Sequence, residues 1–187
     1  KDFTPITQIM RVPNVLVVSL ALNVNTLRDF IALMQANPRK FNFGSSGVGS
    51  LNHLMPELFQ KAAKVSLVHI PYSGGAGETI TALIGNQVQT LVTPVSPVLQ
   101  HIKSGRMRAL AVTTDGKRLP TLPDVPSMSQ AGVSDMVIYY FAGLVAPAGT
   151  PKAVVDKLHA EVVKALAVPA VRDQLVSLNA ESVGSSP

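Results

Sequence analysis

The 187 residues contain no cysteine. Disulfides, thiolate chemistry and cysteine-ligated metal are excluded, and the absence fits an oxidising or a reducing compartment equally. Charge is sparse: 14% of residues are Asp, Glu, Lys or Arg, against roughly 25% in ordinary soluble domains. With 47% apolar residues, the chain is not disordered, because disorder needs low hydrophobicity and high net charge. The net charge of +5 raises nucleic acid or an anionic surface as a partner. The basic residues are scattered, however, and the densest group, Lys103, Arg106 and Arg108, sits around a single turn. Aromatics are only 5% and do not interleave with that group, so no base-stacking platform exists and no nucleic-acid partner is expected. No apolar run reaches the ~20 residues that span a bilayer. There is no internal repeat and no low-complexity tract. The sequence opens on "KDFTPITQIM", starting at Lys1, and reads as a mature or truncated piece of a longer protein.

The remaining pattern alternates strands and helices. "VPNVLVVSLAL" (12–22) is a β-branched strand, and Leu27, Phe30, Ile31 and Met34 follow at helical spacing, with Asn25 or Thr26 as cap and Pro38 as stop. A strand at "KFNFGSS" enters a small-residue loop, and then Leu51, Leu54, Met55, Leu58, Phe59 and Ala62 form one apolar helix face. Strands at 65–72, 87–94 and 107–114 alternate with helices at 78–84 and 95–105. That order calls for crossover units and a mostly parallel sheet. Pro120, Pro123 and Pro126 make residues 116–132 an extended surface connector. Residues 136–147 read as a strand buried on both faces, and Thr150 and Pro151 open a helix with a stripe of Val154, Val155, Leu158, Val162 and Leu166.

Three segments at strand ends share one chemistry: 45–50, 73–77 and 93–97. In a parallel α/β sheet they gather at one edge, where ligands bind. The first two open helices, whose leading N–H groups are unpaired and attract anions. Glycine admits the ligand close to the backbone and serine adds donors. The pattern suits a carboxylate or phosphate held by uncharged donors, the alternative being plain capped turns.

Catalytic and cofactor motifs are missing. Gly47-Val48-Gly49 begins G-x-G-x-x-G but position 52 is Asn, and no P-loop or nucleophile elbow is present. His53, His69, His101 and His159 show no metal-ligand spacing, and no general acid and base pair is visible. No catalytic residue, metal or cofactor is expected.

"VPNVLVV", "FGSSGVGSLNH", "VHIPYSGG", "HIKSGRMRALAVTT", "LPDVPSMSQAG" and "GLVAPAGTPKAVVDKL" occur in this order and together resemble the Bug-type periplasmic solute-binding proteins of tripartite tricarboxylate transporters. The resemblance spans nearly the whole chain. It implies an α/β type II periplasmic binding fold, with a mostly parallel sheet and flanking helices, present as one complete lobe plus part of a second. Family members carry a further N-terminal segment that supplies much of the first lobe. By the resemblance, 1–12 is an inter-lobe crossing segment, 13–115 the second, ligand-binding lobe, and 116–187 a connector followed by the C-terminal part of the first lobe. Ser45, Ser46, Gly47, Gly49 and Ser50 would grip a carboxylate. Tyr72, Ser73, Gly74 and Thr93 would line the cleft wall, and Tyr140 and Phe141 would approach from the first lobe. Many relatives carry an aspartate where this chain has Thr93. The implied function is a non-enzymatic periplasmic receptor that captures a small organic acid and delivers it to membrane permease subunits. The alternative is the ligand-sensing domain of a transcription regulator; a small hydrolase or transferase is a third reading. Without the rest of the first lobe, its open part is expected to be covered by a second copy of the chain or by a cleaved N-terminal piece still bound, or residues 116–187 are locally disordered.

Overall fold

Residues 15–18 are four apolar positions in a row, which suits a strand covered on both faces. The computed structural model, which describes residues 2–187, buries all four completely. They end β1 (Phe3–Val18), which starts well before the expected strand and stops where Ser19 caps a short 3-10 turn, Leu20–Leu22. Two compact units form: Pro13–Ile138, and the residues up to Val12 together with Tyr139–Pro187.

In the first of these units, β2 (Asn42–Ser45), β3 (Val68–Pro71), β4 (Thr90–Pro94) and β5 (Arg108–Val112) join β1 in the order β3-β2-β4-β1-β5. β2 is parallel to β3 and β4, while β1 is antiparallel to β4 and β5. Four of the five strands therefore run one way, and β1 is inserted against them.

Helices α1 (Leu27–Ala36), α2 (Leu51–Ala63), α3 (Gly75–Ile84) and α4 (Val95–Lys103) follow the strands. Thr26 caps α1 in a reciprocal capping box with Asp29. The alternation of β1 sends Leu16 and Val18 to one face, with Phe30, Met34, Phe43, Met55 and Phe59, and Val15 and Val17 to the other, with Ile80, Leu83, Val95 and Val98. On α2 the buried arc is narrower than expected. Met55, Phe59 and Ala63 are buried at i, i+4 and i+8, but Leu54 and Leu58 are exposed.

Residues 116–138 do not go with the C-terminal part. The prolines there lack a donor but still accept: Val112 N–H donates to the Pro126 carbonyl at 2.9 Å, and Met128 N–H to the Val112 carbonyl at 2.9 Å. Leu122, Met128, Val133 and Met136 bury their side chains, so the segment packs on this unit instead of running over its surface. Asn14 ties the points where the chain enters and leaves: its amide donates to the Ile138 carbonyl at 3.1 Å, and its N–H to Thr113 Oγ1 at 3.0 Å.

The other unit holds the start of β1, then β6 (Tyr139–Pro147), α5 (Lys152–Ala167), α6 (Pro169–Ser177) and β7 (Glu181–Ser182). β6 and β7 pair with β1. Gly143 permits that approach, since a Cβ there would stand 2.9 Å from the Thr7 carbonyl oxygen. Arg11 bonds Glu181 at 2.6 Å and lies 4.6 Å over the Tyr139 ring. Thr150 is not the cap of α5: its hydroxyl donates to the Pro147 carbonyl at 2.7 Å, and Pro151 takes the cap position. β6 is not buried on both faces; Ala146 is its one buried residue. Of the α5 stripe, Val155 and Leu166 are buried and Val154 and Leu158 are exposed.

Candidate ligand-binding site

Parallel pairing sets Ser45 opposite Pro71, and Phe43 opposite Thr90. The carboxyl ends of β2, β3 and β4 therefore share one edge, where an α/β sheet binds its ligands. Tyr72 N–H donates to the Ser45 carbonyl at 2.9 Å, tying the first two segments together. The Asn52 amide donates to the Val92 carbonyl at 3.2 Å, tying α2 to β4.

Of the three segments, only 46–50 is a true loop. The second is mostly helix: α3 starts at Gly75, with Gly74 in the cap position. The third is absent as a loop, because β4 passes directly into α4 through Pro94. Small residues favour irregular backbone, but here they form a first helical turn.

Several expected donors are engaged within the chain. Ser45 ends β2 and is buried. Its Oγ accepts from Gly47 N–H at 3.1 Å and stands 2.6 Å from His69 Nε2. The Ser50 hydroxyl donates to the Gly47 carbonyl at 2.7 Å, so Ser50 occupies the cap position of α2 without capping it by its side chain. Gly49 N–H donates to His53 Nδ1 at 3.1 Å, and Gly74 N–H to Glu78 Oε2 at 2.7 Å. Ser46 and Ser73 are exposed, Tyr72 is half-buried, and Thr93 is buried opposite Val15 of β1. Leu51 and Asn52 head α2, where no preceding turn accepts from their N–H groups. Gly47 and Gly49 have φ of 123° and 82°, so the loop backbone needs glycine at both. Tyr140 and Phe141 lie in the other unit, exposed on β6.

Residues that sequence reasoning passed over stand beside the loop. The His53 and His69 rings stack with centroids 4.0 Å apart, and Phe43 stacks on His69 at 4.8 Å. Burial, then the neighbouring His53, hold the His69 pKa below its ordinary value of 6.5, with Glu57 opposing. One signal was available in the sequence: His53 falls four residues after Gly49, one turn into the helix that the loop opens. No group able to hold a metal occurs among the described residues, and no helix there is long and apolar enough to cross a membrane.

A sheet edge with uncharged donors at helix starts suits an anion. Residues 1–186 match the family described as the tripartite tricarboxylate transporter family receptor. The chain belongs to this family. It is 32% identical to the protein BugT of Bordetella pertussis, over the whole chain and 57% of that protein. Among solved structures it is similar to Rpa4515 of R. palustris with adipate (33% identity, TM-score 0.89, the whole chain and 62% of that protein). It is also similar to MatC of Rhodopseudomonas palustris with bound malate (28% identity, TM-score 0.86, 96% of the chain and 60% of that protein). The chain thus spans little more than half the length of the curated relatives it matches. Fold and family are those of Bug-type solute-binding receptors, with a mixed sheet and flanking helices.

Proposed function

We propose that the chain is the ligand-gripping part of an extracytoplasmic, periplasmic receptor. It captures a small carboxylate-bearing molecule and delivers it to the permease subunits of a tripartite tricarboxylate-type transporter. The Pro13–Ile138 unit is the gripping lobe, and the residues up to Val12 with Tyr139–Pro187 belong to the other lobe. The observation that carries the reading is the edge at the ends of β2, β3 and β4, where helices begin on small, uncharged residues with no Lys or Arg in the 45–50 loop. Ser46, Gly49 and the head of α2 hold one carboxylate, while Gly47, whose N–H is given to Ser45 Oγ, shapes the loop. Ser45 and Ser50 brace the loop from within, while Tyr72, Ser73, Gly74 and Thr93 line the wall beside it.

The loop itself is tested with Gly49→Pro. Proline fixes φ near −65° and has no N–H, whereas Gly49 sits at φ 82°. Losing a charge-assisted hydrogen bond, worth roughly 1.5–3 kcal/mol, lowers affinity for adipate or malate about ten- to a hundred-fold. Calorimetry on the full-length protein measures this, and an unchanged affinity would remove the loop from the site.

Ligand class follows from what the edge lacks. A bound ammonium needs a carboxylate or several carbonyls to offset its desolvation. Residues 45–50, 73–77 and 93–97 carry no negative charge. In a thermal-shift screen of mono- and dicarboxylates, aromatic acids and amino acids, a plain organic acid is expected to stabilise best. An amino acid as best stabiliser, with dicarboxylates inert, overturns the assignment.

A further inference from the structure

His53 holds one of the amides assigned to the ligand. The Gly49 N–H donates to His53 Nδ1, and a ring nitrogen that accepts carries no proton. Neutral His53 therefore bears its proton on Nε2, which lies 3.9 Å from Glu57 Oε1. A carboxylate arriving at the loop needs the same Gly49 N–H.

We propose that His53 makes carboxylate capture by the 45–50 loop proton-linked: neutral, it competes for the Gly49 N–H; protonated, it releases that N–H and adds its own Nδ1–H as a donor. The proposal rests on the receptor reading above and gives that site a pH dependence.

The surroundings favour His53 as the group that charges. β2 and β4, against which α2 packs, carry no titratable side chain, and neither does the 46–50 loop. β3 brings His69 and α2 itself brings Glu57 and Lys61. α1, which meets α2 where Phe30 stacks on Phe59, carries Arg28 and Asp29, both exposed. His69, half-buried and pressed against a second imidazole, is held below its ordinary value by desolvation and by His53. His53 has Glu57 as a counter-ion, and its side chain is 19% exposed, so a proton can reach it from water. A ligand anion beside the ring stabilises the charged form further. The bound state then holds the proton at a higher pH than the free state. Affinity is therefore expected to rise as pH falls.

The test is calorimetry on the full-length protein from pH 8 to pH 6, in two buffers of different ionisation heat, with adipate as the probe, or malate if adipate is inert. The probe's second carboxyl takes up protons toward the acid end of this range, so the free acid is titrated in the same buffers and its own protonation is subtracted. Binding is expected to be about three- to tenfold tighter at pH 6 than at pH 8, with proton uptake on binding. His53→Gln cannot take up a proton, so its profile is flat whatever its absolute affinity, while His69→Gln keeps the slope. If His53→Gln does not fold, the buffer dependence of the unmodified protein decides alone. Adipate or malate binding with a flat profile and no proton uptake overturns the proposal and leaves the receptor reading standing. No binding of either acid at any pH overturns the receptor reading, and the proposal with it.

Discussion

Produced on its own, the 187-residue chain is expected to run in size exclusion with light scattering as a dimer or larger species, not as a 19.7 kDa particle. The reason is β6. Alternation along a strand puts Tyr140 and Leu144 on one face and Phe141 and Val145 on the other, and all four are exposed, Phe141 by 65%. In the same unit Val154, Leu158, Val163, Val168 and Val176 are also exposed, and among the described residues its buried cluster is small: Ile6, Ala146 and Val155. A monomer seldom leaves a contiguous apolar patch beyond about 300–600 Å² in water. At roughly 25 cal/mol per Å² a patch of that size costs about 7–15 kcal/mol, as much as the whole stability of a domain. The partner expected to cover it is a second copy, the one molecule sure to be present in a pure sample. Hydrogen exchange should find Pro13–Ile138 protected in either state, because its strands and helices complete their own two-sided core. A single 19.7 kDa species protected throughout β6 and α5 would show that the chain covers these faces unaided.

Phe43→Ala is expected to destabilise the Pro13–Ile138 unit by about 3–5 kcal/mol, the range for emptying a buried phenylalanine site. Phe43 has no exposed surface and lies between the α1–α2 core and the ring of His69. Collapse around the gap is hindered on the other side of the strand, where a Cβ on the adjacent Gly44 would already stand 2.9 Å from Leu91. Urea unfolding should show a lower midpoint at an unchanged m-value. His69 also loses its ring partner, so its proton resonances should move in whatever protein remains folded. Val48→Ala, at a position 79% exposed, serves as the comparison and should change stability very little. A loss below about 1 kcal/mol for Phe43→Ala, well under the cost of such a cavity, would mean that Phe43 is not in this core.

Local signals were legible where the physics is local. Thr26, Leu27, Phe30 and Met34 announce α1 because a cap and a 3.6-residue period act within one helix. The crossover helices and the common direction of β2, β3, β4 and β5 follow from alternation alone. What sequence could not carry was pairing between distant segments. Nothing near residues 15–18 says that their partners are 90–93 and 108–112, running antiparallel. Residues 116–138 misled because proline was counted as a missing donor, while the Pro126 carbonyl and the Met128 N–H complete the ladder. The small-residue segments do end at one sheet edge, but nothing local in them says which of their groups are engaged. His53 and His69 were dismissed separately because they are 16 positions apart, and it is the strand register placing His69 opposite Phe43 that brings them together.

Val48 stands at the tip of the glycine loop, almost fully exposed, in a chain whose 187 residues offer no competing thiol. Val48→Cys would therefore give one addressable attachment point, directly before the amide that His53 holds. An environment-sensitive dye placed there would respond to rearrangement of the Gly47–Gly49 backbone without touching the core. Occupancy could then be followed as emission from the protein itself, and fitted optically across pH and across candidate acids in a single titration plate.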